Sequence, residues 1–86
     1  MVTVVATHEV DDVTAWLASP QREEFFGPMG ISIRTFVDPS GSNRVGLIVE
    51  VPDMETFENA MASEGAAEAM KVDGVRPETM TIYVES

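Results

Sequence analysis

The chain has no cysteine, one histidine, one tryptophan, one tyrosine and only five basic residues against fifteen acidic ones among its 86 positions. Without cysteine no disulfide can brace the fold, and a reducing cytoplasm is the expected setting. A zinc site needs several His or Cys ligands, so a structural metal is not expected either. The formal charge of −10 and the lack of any basic stripe exclude a phosphate-backbone partner and disfavour an anionic membrane surface. No apolar run approaches the length of a bilayer span. The first residues, MVTVVATHEV, carry no positive region and reach an acid by Glu9, so they do not read as a secretory leader.

What is present is a chain that is 44% hydrophobic, arranged periodically, which argues for a core and against disorder. No linker, repeat or low-complexity stretch divides residues 1–86, and a single domain is expected. A domain of this size buries only roughly 60–65% of the surface its unfolded chain exposes. With disulfides and metals set aside, association with a second copy is the remaining supplement.

Val2, Val4, Ala6 and His8 alternate with Thr3, Val5, Thr7 and Glu9, and β-branched residues on both sides predict a strand covered on both faces. Asp11 or Asp12 suits a helix cap, and Val13, Trp16 and Leu17 form one apolar stripe. Ser19-Pro20 interrupts it, Gln21 to Phe26 resumes as a second helical piece, and Gly27-Pro28-Met29-Gly30 stops that. Ile31 to Val37 is a second strand, residues 38–43 (DPSGSN) a turn, and Arg44 to Val51 a third strand, together a hairpin. Pro52-Asp53 opens a helix with Phe57, Ala60 and Met61 on one face. Gly65 lies in an alanine-rich continuation whose part from Ala66 to Met70 can be a separate short helix. Asp73-Gly74 ends it, Pro77 follows, and Thr79 to Glu85 is the last strand.

The order β-α-β-β-α-β is the ferredoxin-like pattern, an α+β fold with a four-stranded antiparallel sheet and helices on one face. Strand parity separates an aliphatic face (Val4, Ala6, His8, Ile33, Leu47, Val49) from a mixed one (Val5, Thr7, Arg34, Phe36, Glu50, Tyr83). The first should meet the helices, and the second suits a partner sheet, hence a homodimer with Arg34 and Glu50 paired across it.

The strand end His8-Glu9-Val10-Asp11, then Trp16, the strand RVGLIVEV, the helix start Pro52-Asp53 with Phe57, and the alanine-rich helix running to Asp73-Gly74-Val75 resemble the dimeric α+β barrel superfamily. That group includes the antibiotic-biosynthesis-monooxygenase-like proteins. The resemblance implies two sheets closed into a barrel, with a pocket between each sheet and its own helices. It also implies a range of activities: cofactor-free oxygenases on polyketide phenols, haem-degrading enzymes and lactone isomerases. A histidine on a strand does not match the helical axial ligand of the haem enzymes, so no cofactor is expected.

His8 is the one side chain that titrates near neutrality without a large shift. It reads as a general base toward a phenol or enol, or as a structural histidine tied to a backbone carbonyl or a nearby aspartate. Trp16, Phe25 and Phe57 are candidate walls for an aromatic ligand, with core packing as the ordinary alternative. Arg22 is placed to close over such a ligand, or else is solvated. The methionines fit a soft pocket lining or plain core. The function expected is a small-molecule pocket protein, a cofactor-free monooxygenase, isomerase or cyclase on a phenolic or polyketide-like substrate. The alternative is a non-catalytic ligand-binding or ancillary homodimeric domain. Either ligand-binding reading calls for a cavity of at least ~300 Å³ beside His8.

Overall fold

A computed structural model describes all 86 residues, Met1–Ser86. Four strands, β1 (Val2–Val10), β2 (Ser32–Val37), β3 (Arg44–Val51) and β4 (Val75–Val84), form one antiparallel sheet in the order β2-β3-β1-β4. Each helical layer element is split in two: α1 (Val13–Ala18) with α2 (Gln21–Phe26), and α3 (Met54–Ala62) with α4 (Glu64–Val72). The fold is the ferredoxin-like α+β arrangement with helices on one face of the sheet.

The helix boundaries follow from short polar side chains that satisfy the first free amides. Asp12 accepts from the Ala15 amide at 3.1 Å, Asp53 from Thr56 at 2.7 Å, and Ser63 from Ala66 at 3.2 Å. The Thr56 amide holds the Asp53 carboxyl below its usual range. Ser63 thus ends α3 and begins α4. The break also sits beside Gly65, where an added Cβ would run into the Phe25 ring. After α2 a single 3-10 turn, Gly27–Met29, hands over to Gly30 at φ +76°, a conformation other residues rarely adopt.

The β2–β3 turn is organised by Asp38, which accepts from the Ser40 amide at 2.9 Å and from the Ser40 and Ser42 hydroxyls at 2.6 and 2.5 Å. Those hydroxyls and the amide lower the carboxyl to about 2.

The last strand departs from the sequence expectation. It begins at Val75 rather than Thr79 and runs through Pro77. Val75 and Arg76 pair with Val10 and Glu9, and the regular ladder resumes only where Thr81 meets Thr7. The intervening residues bulge out opposite His8. Proline is tolerated there because the bulge asks no ladder hydrogen bond of it. Thr79 mends the gap: its hydroxyl accepts the Glu9 amide at 2.9 Å and donates to the Arg76 carbonyl at 2.6 Å.

Even-numbered β1 residues face the helices. Val4, Ala6, His8 and Val10 are all buried, as are Val45, Val49 and Val51 of β3. Val4, Ile31, Val49, Val51, Phe57 and Ala60 make the main core cluster, and Val10, Trp16 and Val45 a second one under α1. The opposite face carries rows such as Arg34–Ile48–Val5–Tyr83 and Phe36–Gly46–Thr7–Thr81. Tyr83 is 64% exposed there, and Val5 and Phe36 are exposed beside it. Within the chain no ion pair joins Arg34 to Glu50, both of which are exposed. At the end of the sheet away from Glu50, ion pairs join Arg76 to Asp11 at 2.9 Å and Glu9 to both Arg76 and Arg44 at 3.5 and 4.0 Å. No helix is long and apolar enough to cross a membrane.

Candidate functional site

Between the sheet and the helices lies a narrow cavity. Fourteen of its seventeen lining residues are hydrophobic, and the polar three are His8, Arg22 and Asp73. β1 delivers His8 by strand parity, the α1 stripe delivers Trp16, and α2 delivers Arg22. Asp73 caps the end of α4, where its backbone amide reaches the Ala69 carbonyl at 3.0 Å.

His8 is 2% exposed. Its Nδ1 lies 3.3 Å from the Glu9 carbonyl oxygen, and since a carbonyl only accepts, Nδ1 carries the proton. In the neutral ring Nε2 then holds a lone pair; no hydrogen bond within the chain reaches it, and it keeps some exposure, since no fully buried side-chain nitrogen lacks a partner. Burial pushes the imidazole below its ordinary 6.5; the Glu9 carbonyl pulls the other way, and the Arg22 cation adds to the lowering. The ring is therefore neutral at pH 7, an acceptor or base on the cavity side.

Trp16 is 1% exposed and meets His8 edge-on, with centroids 5.7 Å apart and planes at 81°. Arg22 lies over the indole with its guanidinium carbon 4.3 Å from the ring centroid, and it donates to the Trp16 carbonyl at 2.8 Å. It also reaches Asp73 at 3.5 Å, and these two side chains are only 15% and 4% exposed. The other Asp73 oxygen takes the Ser19 hydroxyl. Burial lowers the Arg22 pKa and Asp73 offsets part of this, yet a guanidinium stays charged at any physiological pH. A stack therefore runs from His8 through Trp16 to an Arg22–Asp73 pair.

Four of the sequence candidates, His8, Trp16, Arg22 and Phe57, surround this one cavity. Phe25 does not. Its ring covers Gly65 and packs edge-on against Phe26 at 4.9 Å, and Phe26 lines the cavity instead. The cause is helix phase: Pro20 starts α2 anew, so its inward face is not an extension of the α1 stripe. Arg22 is not solvated but held on Trp16. Asp73 was not among the candidates, because its sequence context reads only as a helix stop. Met61, Met70 and Met80 complete the lining with Leu47, Ala69 and Val75.

The cavity's free volume is about 60 Å³, short of the ~300 Å³ that the ligand-binding readings call for. A bicyclic ligand therefore needs side chains to move, and three of the lining residues are methionines, the most adaptable of core residues. No group of three or more His, Cys, Asp and Glu is placed to hold a metal ion.

No protein-family model matches the chain, and no curated protein does. Solved structures match it over nearly its whole length. An antibiotic biosynthesis monooxygenase is 16% identical with a TM-score of 0.68, covering 100% of this chain and 97% of that one. A provisionally assigned antibiotic biosynthesis monooxygenase from Bordetella bronchiseptica is 17% identical with a TM-score of 0.73, over 99% and 94% of the two chains. A protein from Agrobacterium tumefaciens is 13% identical with a TM-score of 0.64, over 100% and 92%. At such identities the likeness is one of fold, not of activity. The chain has the ferredoxin-like α+β fold of these antibiotic-biosynthesis-monooxygenase structures.

Proposed function

We propose that the cavity binds a small, flat, largely apolar molecule of the phenolic or polyketide class and that His8 Nε2 acts on it as a general base without a cofactor. The observation that carries this reading is the imidazole itself: buried, neutral, fixed in one tautomer by the Glu9 carbonyl, with its basic nitrogen unclaimed. Trp16 and Phe57 would form the walls and Arg22 the polar end.

On an anthrone-type substrate the step balances without a metal. Nε2 takes a proton from the ring CH₂, and the resulting carbanion gives an electron to O₂. The radical pair joins as a peroxide, which loses the second hydrogen and the O–O bond. The net change is CH₂ plus O₂ to C=O plus water. A base in the same place would equally serve an isomerase or cyclase. Among these, the likeness of fold to an antibiotic biosynthesis monooxygenase favours oxygenation. Two copies of the chain would meet through the sheet face that exposes Val5, Phe36 and Tyr83, in the cytoplasm.

The test is turnover of anthrone- and naphthol-type compounds by wild type and His8→Ala. Loss of at least ~100-fold is expected for removal of a general base. Unchanged turnover would show that His8 is not catalytic. The narrowness of the cavity favours a second reading, a non-catalytic domain whose pocket is closed by its own methionines. Failure both to bind and to turn over these compounds would select it.

A further inference from the structure

A second, polar groove lies outside the cavity, bounded by Leu17 of α1 and Ser19 just after it, by Glu23 of α2, and by Ser32 and Thr35 of β2. Its free volume is about 490 Å³, against about 60 Å³ for the inner cavity. Arg22, Ile31 and Ile33 line both spaces, so these three side chains are the partition between them. The two isoleucines are held at a strand. Arg22 is held by the Trp16 face, the Trp16 carbonyl and the 3.5 Å pair to Asp73, on a helix only six residues long. It is the partition member able to swing.

We infer that groove and cavity are two halves of one ligand site, taking an elongated uncharged molecule with a flat apolar end in the cavity and an oxygen-bearing end in the groove. This rests on the reading that the cavity binds a ligand at all. The chemistry of the outer half selects the class. The Ser19 hydroxyl is already given to Asp73 and takes the Gln21 amide, but those of Ser32 and Thr35 can donate and accept, which suits alcohol, ether or carbonyl oxygens. An anionic tail is disfavoured, because the one cation present is already matched by Asp73, Glu23 stands beside it, and the chain carries −10 overall. A cationic tail would meet the Arg22 guanidinium at the partition. The inner half takes a flat apolar group once its methionines shift and the outer half is too polar to hold one, so a two-part molecule uses both.

Calorimetric titration with three probes tests this: 2-naphthol, 6-(2-hydroxyethoxy)-2-naphthol and 6-hydroxy-2-naphthoate. The hydroxyethoxy compound should bind about tenfold more tightly than 2-naphthol, as one or two added hydrogen bonds would give. The naphthoate should bind more weakly than the hydroxyethoxy compound. Thr35→Phe, at an exposed position of β2, should abolish the advantage of the tail while leaving 2-naphthol unchanged. Ser32→Val, which removes a hydroxyl without blocking the groove, should reduce that advantage. If 2-naphthol binds and the tail adds nothing, or adds as much in Thr35→Phe, the groove is not part of the site and the cavity reading stands alone. If neither neutral compound binds, the cavity reading fails and takes this inference with it.

Discussion

The Arg22–Asp73 pair can be measured, because the structure makes it a buried pair rather than a surface one. At 3.5 Å and an effective dielectric of about 20, the attraction is 332/(20 × 3.5), or roughly 5 kcal/mol before desolvation. Both side chains are largely withdrawn from water, so much of this is spent on dehydration, and the 3.5 Å separation is long for a charge-assisted hydrogen bond. A coupling of about 1–3 kcal/mol remains. The measurement is a double-mutant cycle of Arg22→Met, Asp73→Asn and the pair, followed by urea unfolding at one fixed protein concentration. Circular dichroism is the right probe, since Trp16 fluorescence changes when the guanidinium leaves its face. Each single variant should lose about 2–4 kcal/mol, with the double variant losing less than their sum by the coupling. Arg22→Met should cost more than the coupling alone, because it also ends the stacking on Trp16, worth about 0.5–2 kcal/mol. A coupling below about 0.5 kcal/mol is what an exposed pair gives, and would refute the burial on which the partition between cavity and groove depends.

Four further outcomes follow from local geometry. His8 has a lowered pKa when folded and 6.5 as its ordinary value, so below pH 6.5 the unfolded chain takes up a proton that the folded one resists. Its stabilising share is complete above pH 6.5 and is lost as pH falls through the folded value; the stability difference between wild type and His8→Gln should move in that sense, and a pH-independent difference would contradict it. Turnover, if present, should rise with pH to a plateau with its midpoint below 6.5. Gly65→Ala sets a helix-propensity gain of at most about 1 kcal/mol against overpacking of 1–3 kcal/mol on the Phe25 ring. A net loss of about 1 kcal/mol, or roughly 4–8 °C in Tm, is expected, with Phe25→Leu restoring it; a stabilised variant would mean that the ring moves freely. Thr79→Val strands the Glu9 amide and should cost about 1–3 kcal/mol and speed hydrogen exchange at that amide, while Thr79→Ser should not.

Strand parity made one part of the site legible before any coordinates. With valine on both sides of β1, the residues in register with Val4 and Ala6 had to face the helical layer, and His8 is in that register. Trp16 and Phe57 were legible by the same means, from the spacing of an apolar helical stripe. The choice between Phe25 and Phe26 was not, because adjacent helical residues differ by about 100° and Pro20 leaves no phase to carry over from α1. Asp73 was hidden by its neighbours, since Asp-Gly after an alanine-rich run describes a helix end whether or not the carboxylate turns inward. That it does turn inward depends on Arg22 and Ser19, more than fifty positions away. The start of β4 was missed for a related reason: Pro77 marks a strand boundary in most contexts, and only the bulge opposite His8 accommodates it inside one.

That bulge and the imidazole belong to one arrangement. In an unbroken β1–β4 ladder every residue of β1 would face a rung of β4. Here the step from Thr7 to Glu9 spans five residues of β4, from Thr81 back to Arg76. Thr79 takes over the Glu9 amide, so the ladder loses a rung without leaving a buried donor unpaired. Met80 lines the cavity from within the same excursion, a flexible side chain where a regular strand would favour a branched one. The strand pairing is thus relaxed at the one place where a titratable ring is buried beside a cavity, and its backbone donor is satisfied by a side chain. An aliphatic residue at this position would avoid burying a polar ring, and the proposal that Nε2 meets a ligand supplies a use for that cost.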